Sequence, residues 1–134
     1  MKNNYLNKTF WKSKIVLITG INGFIGGNLA KQLCSYGATI IGITNSGKKN
    51  KFLEYEKILN KIKLYKVNII DKKNIDKLIS KHNIQICFHL AAQVDVNVSK
   101  VDPYETFETN IKGTYNLLDA LSRKKTVKSI VVAS

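Results

Sequence analysis

At 134 residues and 15.1 kDa, with 44% hydrophobic and 23% charged residues, the chain has the size and balance of one globular domain with a real core. No apolar run approaches the roughly 20 residues that span a bilayer. The start, MKNNYLNKTFWKSK, lacks the apolar segment and small-residue cleavage site of a signal peptide, so the expectation is a cytoplasmic protein with no membrane partner. The net charge of +13 raises nucleic acid as a partner, yet Arg123 is the only arginine and the lysines fall on polar helix faces and loops, such as Lys57, Lys61, Lys73, Lys77 and Lys81. With no helix-turn-helix pattern, zinc knuckle or aromatic RNA-binding motif, nucleic acid is the disfavoured reading.

Lys14 to Thr19 (KIVLIT) is a continuous apolar run ending in glycine, the form of a strand buried on both faces. From Phe24 to Tyr36, Ile25, Leu29, Leu33 and Tyr36 share one helical face, and Gly37 closes the helix. Ala38 to Thr44 (ATIIGIT) predicts a second strand. A polar loop over Asn45–Asn50 leads to a weaker helix over Lys51–Asn60. Lys63 to Ile70 (KLYKVNII) predicts the third strand, and Asp71 caps a helix that buries Ile75, Leu78, Ile79 and His82.

Ile84 to Leu90 (IQICFHL) predicts strand four. Beyond it, Asp102-Pro103-Tyr104-Glu105 places Asp at the N-cap, Pro at N1 and Glu at N3, an acidic capping box. The following helix carries Phe107, Ile111, Thr114, Leu118 and Leu121 at helical spacing, and Val127 to Ala133 (VKSIVVA) predicts strand five. Strands alternating with helices through short links imply a parallel sheet. With a glycine loop after the first strand, the expected fold is Rossmann-type α/β with strand order 3-2-1-4-5 and helices on both faces. Cys34 in a helix and Cys87 in a strand have no CxxC partner and no histidine at metal spacing; buried reduced thiols are expected, and no metal ligand is assigned.

The loop itself reads Gly20-x-x-Gly23-x-x-Gly26. Gly20 permits a sharp turn, Gly23 lets the backbone approach a diphosphate, and Gly26 brings helix and sheet together. The amides opening the helix then face the anion, with the helix dipole adding attraction. By itself this spacing fits an ordinary strand-to-helix turn equally well. The chain has no acidic residue before Glu54, so the loop sits in a wholly cationic segment that suits an anionic ligand.

The context is more specific. TGINGFIGGNLAKQL resembles the TGxxGFIG cofactor loop of the extended short-chain dehydrogenases/reductases, the nucleotide-sugar epimerases and dehydratases. HLAAQVDVNVS from His89, DPYETFETNIKGTYNLLDA from Asp102 and VKSIVVAS from Val127 are similar to three further motifs of that family, in the same order. Within it the chain looks closest to CDP-glucose or GDP-mannose 4,6-dehydratase-like members. The resemblance implies residues 1–13 as an N-terminal extension and 14–134 as an NAD(P)-binding Rossmann domain, incomplete because the C-terminal substrate region is absent.

The same resemblance implies that Gly20, Asn22, Gly23, Phe24 and Ile25 surround the pyrophosphate. Thr44 and Asn45 fall at the adenosine ribose. Asn68 stands at the adenine-reading position, where the family has aspartate, with Ile69 beside it. Leu90, Ala91, Ala92 and Gln93 follow the cofactor towards the nicotinamide ribose, and Asn110 matches an asparagine near it. Read without the family, Asn110 is a packing bond or a solvated residue, Gly113 a close helix contact, and His89 a satisfied strand-end histidine rather than a catalytic one. NAD-preferring members place an acid after the second strand. Thr44 and Asn45 stand there instead, with Lys48 and Lys49 nearby, which leans from NAD towards NADP.

Family chemistry is a transient hydride transfer, with a tyrosine base aided by a lysine four residues later. No tyrosine of this chain has that lysine, and Ser134 aligns with the first serine of the family's catalytic serine/threonine pair. The expectation is therefore an N-terminal piece of an enzyme, inactive alone, whose nucleotide-sugar substrate binds only in a full-length form. The resemblance implies a homodimer for complete members but not for this length of chain. The alternative is a free-standing, non-catalytic NAD(P)-binding module that reports redox state to a partner.

Overall fold

The protein is described by a computed structural model covering residues 7–46 and 50–133. Lys48, Lys49 and Ser134 lie outside the described residues. Five strands, β1 (Ile15–Thr19), β2 (Thr39–Thr44), β3 (Ile62–Lys66), β4 (Ile86–His89) and β5 (Ser129–Val132), form one parallel sheet of order β3-β2-β1-β4-β5. The expected topology is the observed one. β1 lies between β2 and β4, and Val16, Leu17, Ile18 and Thr19 are all fully buried, as a strand covered on both faces demands. At the β5 edge, Val131 and Val132 remain partly exposed.

Each face of the sheet carries its own apolar layer. On one, α2 (Phe24–Ser35) and α3 (Lys51–Tyr55) bury Ala30, Leu33 and Leu53 against Val16, Ile18 and Ile40. On the other, α4 (Lys72–Ser80) and α7 (Gly113–Ser122) bury Ile75, Ile79, Leu117 and Leu121 against Leu17, Ile41 and Cys87. Gly37, at φ 84°, ends α2 with Gly37 N–H donating to the Cys34 carbonyl and Ala38 N–H to the Leu33 carbonyl. Asp71 caps α4 through Asn74 N–H, and Asp102 caps α6 (Pro103–Phe107) through Glu105 N–H with Pro at N1, as the sequence pattern requires. A short helix α1 (Lys8–Trp11) precedes β1 and sets Trp11 against Phe88, ring centroids 6.3 Å apart.

The structure departs from the sequence reading in four elements. The helix expected over 51–60 stops at Tyr55; Lys57 takes a left-handed φ of 55° and a 3-10 turn (Leu59–Lys61) follows. β3 ends at Lys66, not at residue 70, because the Asn68 side chain accepts Ile70 N–H and its carbonyl accepts Asp71 N–H, a local turn that competes with the ladder. The apolar stripe of α2 is offset: Gly26, Gly27, Ala30 and Leu33 are buried while Ile25 is 67% exposed. Finally, the segment after β4 contains α5 (Val96–Val101), α6, a π-turn (Glu108–Lys112) and α7.

The buried side of α7 is also not the Phe107–Ile111–Thr114–Leu118–Leu121 stripe. It is Gly113, Asn116, Leu117, Ala120 and Leu121, with Phe107 and Ile111 exposed. Gly113 lets the helix approach so closely that a Cβ there would stand 2.6 Å from the Ile69 side chain. Asn116 donates from its amide to the Ile69 and Ile70 carbonyls at 3.3 and 3.1 Å. A small residue and an amide fix this face, and hydrophobic spacing registers neither. Of the cysteines, Cys87 is fully buried and its thiol is pushed up to about 12 by burial, while Cys34 is only half-buried.

Candidate cofactor-binding site

The carboxyl ends of β1, β2, β3 and β4 open on one cleft of about 490 Å³. Parallel α/β sheets bind ligands in this crevice, where the strand order reverses between β1's neighbours. Gly20, Asn22, Gly23, Phe24, Ile25, Thr44, Asn45, Asn68, Ile69, Leu90, Ala91 and Ala92 line it, which brings most of the residues singled out in the sequence into one place. Gln93 and Asn110 do not line it.

Three glycines build the floor. Gly20 sits at φ 69°, and a Cβ there would stand 2.8 Å from Ala91 N, so the turn out of β1 needs glycine for both conformation and space. At Gly26 a Cβ would stand 2.3 Å from the Gly20 carbonyl oxygen, which makes this the tightest approach of helix to loop. Gly23 differs. It is exposed, its added Cβ would meet only the Gly20 carbonyl at 3.2 Å, and it is the N-cap of α2 with no side-chain cap. The amides that open α2 therefore face the cleft without a side-chain acceptor of their own. No acid stands in the first turn of α2, and among the described residues no Asp or Glu lines the cleft. That donor set and charge fit a diphosphate.

At the β2 end of the cleft, amides and a hydroxyl form a relay. Asn22 Nδ2 donates to Thr44 Oγ1 at 3.0 Å, and Asn50 Nδ2 donates to Asn22 Oδ1 at 3.0 Å while its own Oδ1 caps α3 through Leu53 N–H. This relay ties the glycine loop to the end of β2. Asn68 Oδ1 accepts Ile70 N–H at 3.2 Å, and Asn68 lines the cleft beside Ile69.

The opposite wall is set from behind. Asn110, in the π-turn, accepts Gln93 N–H at 2.7 Å and donates to the Gln93 carbonyl at 3.1 Å. This two-point clamp ties the π-turn to residue 93. Gln93 itself turns away, its Oε1 accepting Asp95 N–H. π-turns are rare and concentrate at functional sites. His89 is 2% exposed and satisfied on both ring nitrogens, by Thr19 Oγ1 at 2.6 Å and Thr114 Oγ1 at 2.9 Å, and burial pushes its imidazole below its ordinary range.

The cleft also takes in Ile43, Val67, Val94, Thr109 and Ala133, which sequence reading did not assign. Ile43, Val67 and Ala133 sit at or just past strand ends, a signal available from topology. Thr109 is the neighbour of Asn110 in the motif. The Thr19 and Thr114 partners of His89 carry no sequence signal.

A model of the family described as GDP-mannose 4,6 dehydratase matches residues 17–134. Among curated proteins, the chain is 35% identical over 122 residues to a UDP-N-acetyl-alpha-D-glucosaminuronate decarboxylase from Bacillus cytotoxicus, covering 90% of this chain and 36% of that one. It is 30% identical over 127 residues to a CDP-glucose 4,6-dehydratase from Salmonella typhimurium, with 94% and 35% covered. Among solved structures, the UDP-glucose 4-epimerase of Thermus thermophilus in complex with NAD superposes with a TM-score of 0.74 at 29% identity, covering 86% of this chain and 36% of that one. The chain thus spans about a third of the length of these relatives. Among the described residues no helix is long and apolar enough to cross a membrane. With the glycine floor, the strand-end cleft and these matches together, the chain belongs to the GDP-mannose 4,6-dehydratase family of NAD-dependent epimerases/dehydratases, within the short-chain dehydrogenases/reductases.

Proposed function

We propose that these residues are the NAD(P)-binding portion of a nucleotide-sugar 4,6-dehydratase-like enzyme, of the CDP-glucose or GDP-mannose type. The observation that carries it is the uncapped α2 N-terminus over bare Gly23, in a cleft that no Asp or Glu among the described residues lines. Gly20, Gly23 and the amides of Phe24 and Ile25 would hold the diphosphate, Thr44 and Asn45 the adenosine ribose, and Asn68 with Ile69 the adenine. Leu90, Ala91 and Ala92 would line the path to the nicotinamide, with Gln93 and Asn110 keeping that wall in place. When bound, the nicotinamide supplies a reversible hydride acceptor.

The end of β2 offers Thr44 and Asn45 where a carboxylate would repel a 2′-phosphate, so the site is read as favouring NADP over NAD. The 134 residues hold no Tyr-x-x-x-Lys, so alone they are proposed to bind dinucleotide without turning over a nucleotide sugar. A cytoplasmic setting belongs to the same reading, supported by two cysteines left as free thiols.

The test is calorimetric titration of the wild-type chain and Gly23→Val with NADH and NADPH. A branched side chain at Gly23 should abolish binding of both while leaving the fold intact. Equal affinity in the two proteins refutes the cofactor assignment, and tighter binding of NADH than NADPH refutes the NADP preference.

A further inference from the structure

We propose that His89 is a positioning residue for the dinucleotide site: held as a single neutral tautomer, it fixes the Leu90–Ala91 wall, and its protonation releases that wall and weakens dinucleotide binding. The inference rests on the cofactor reading above and adds a residue and a switch to it.

Hydrogen-bond capacity settles the tautomer. Thr114 has one hydroxyl proton, and it goes to the Asn110 carbonyl at 2.7 Å. Thr114 Oγ1 can therefore meet His89 Nε2, 2.9 Å away, only as an acceptor, so Nε2 carries the proton. In the neutral ring Nδ1 is then bare and accepts the Thr19 hydroxyl at 2.6 Å. With its proton so directed, Thr19 Oγ1 accepts the backbone N–H groups of Leu90 and Ala91, both at 3.2 Å. Leu90 N–H is shared between the Thr19 hydroxyl and the Thr19 carbonyl at 3.3 Å, and the relay runs one way from the cleft wall to the π-turn.

Adding a proton to Nδ1 reverses its last step. Two donors would face each other across 2.6 Å, and the Thr19 hydroxyl, fully buried, would have to turn its proton towards Leu90 and Ala91. Leu90 N–H also reaches the Thr19 backbone carbonyl at 3.3 Å, so the loss of an acceptor falls on Ala91 N–H, whose acceptor is the Thr19 hydroxyl. Leu90 and Ala91 line the cleft, and Ala91 N is the atom that a Cβ on Gly20 would meet at 2.8 Å, so the disturbance falls where the wall touches the glycine floor.

Charges nearby do not compete for this role. On the helix packed over His89, Glu108 and Lys112 pair with each other at 2.7 Å and Tyr115 is exposed. On α4 and the far end of α7, Lys72, Asp76, Asp119 and Arg123 pair among themselves at the surface. β1 and β5 contribute no titratable side chain, and on β4 the buried Cys87 thiol stays neutral. Burial alone disfavours the imidazolium, which keeps the neutral ring at physiological pH.

The sign follows by linkage. A ring whose folded pKa is depressed contributes fully above its unfolded value near 6.5, and the contribution is lost as pH falls through the folded pKa. By reciprocity, dinucleotide binding should push the His89 titration to still lower pH.

The test uses ring-nitrogen NMR of the full chain, which has two histidines, His82 and His89. At about pH 7.5 His89 should show a protonated Nε2 and bare Nδ1. Affinity for NAD should fall about three- to tenfold on acidification through the His89 titration, the worth of a lost hydrogen bond. Saturating NAD should move the His89 midpoint down and leave His82 unchanged. His89→Asn keeps an acceptor for Thr19 and cannot titrate; it should bind somewhat more weakly than wild type near pH 7.5 with a flat acid profile. His89→Phe should bind more weakly still. A protonated Nδ1 at neutral pH, or an NAD affinity and His89 midpoint indifferent to each other, overturns the proposal alone. Absence of binding by both NAD and NADP with the Nε2–H tautomer intact overturns the cofactor reading and this proposal with it.

Discussion

The crossover from β1 to β2 and the crossover from β4 to β5 are the same topological unit built by different means. In the first, a loop of four residues leads straight into α2, and three glycines set the geometry by close backbone approach. In the second, the chain passes through α5, α6, a π-turn and α7, and side-chain amides and hydroxyls set the geometry instead: Asn110 on Gln93, Thr114 and Thr19 on His89, Asn116 on Ile69 and Ile70. Both crossovers leave apolar side chains exposed: Phe24 and Ile25 at the start of α2 in the first, and Tyr104, Phe107, Ile111 and Tyr115 in the second. A site wall made of steric fit should fail abruptly when altered. One made of hydrogen bonds should fail by degrees.

Gly26→Ala should produce the largest effect. Alanine in a helix is worth up to about 1 kcal/mol over glycine, but here its Cβ would stand 2.3 Å from the Gly20 carbonyl oxygen, so repulsion wins. A loss of about 3 kcal/mol or more, read by urea denaturation, is expected; a neutral result would mean that α2 can slide and the floor is not rigid. Asn110→Ala comes next. It removes both bonds to Gln93 and should cost about 1–2 kcal/mol, with weaker dinucleotide binding and faster amide exchange over residues 90–93. Should exchange there stay unchanged, the clamp is not what orders the wall.

Gly23→Val, by contrast, should cost about 1 kcal/mol or less in stability, since its Cβ meets only one atom at 3.2 Å, while eliminating dinucleotide binding. A stability loss as large as that of Gly26→Ala would erase the distinction between the two glycines. The smallest effect is expected at the surface network, where Lys72, Asp76, Asp119 and Arg123 join α4 to α7. Hydrogen bonding to Lys72 and then Arg123 holds the Asp119 carboxyl below its ordinary value of 3.8, so the network acts above that pH and is lost as pH falls through the depressed value. Lys72→Ala should leave the melting temperature unchanged at high salt; a marked drop there would give this network a role equal to the amides.

The same contrast explains what the sequence discloses. β1, β2 and the glycine loop are legible because burial on both faces and glycine spacing leave direct marks: KIVLIT, ATIIGIT and Gly20-Gly23-Gly26. Alternation of elements implies the parallel sheet, and the glycine loop after β1 points to the strand order. The second crossover leaves fewer marks, because Gly113 and Asn116 hold α7 where hydrophobic spacing points one position away, and because nothing local marks a π-turn. The resemblance places Asn110 near the cofactor, yet its amide is bound to Gln93, a partner 17 residues back that no period connects. A satisfied His89 is legible from its place at a strand end, but its two threonines come from β1 and α7, and only the fold brings them together.

The central claim is that backbone nitrogens at the start of α2 hold a diphosphate. Backbone amide NMR of the chain, titrated with NADP and separately with inorganic pyrophosphate, tests it directly. The account predicts that both ligands shift the Phe24, Ile25 and Gly26 amides most, with NADP alone adding shifts at Asn68, Leu90 and Ala91. Shifts spread over surface lysines, with the α2 amides unmoved, would contradict it.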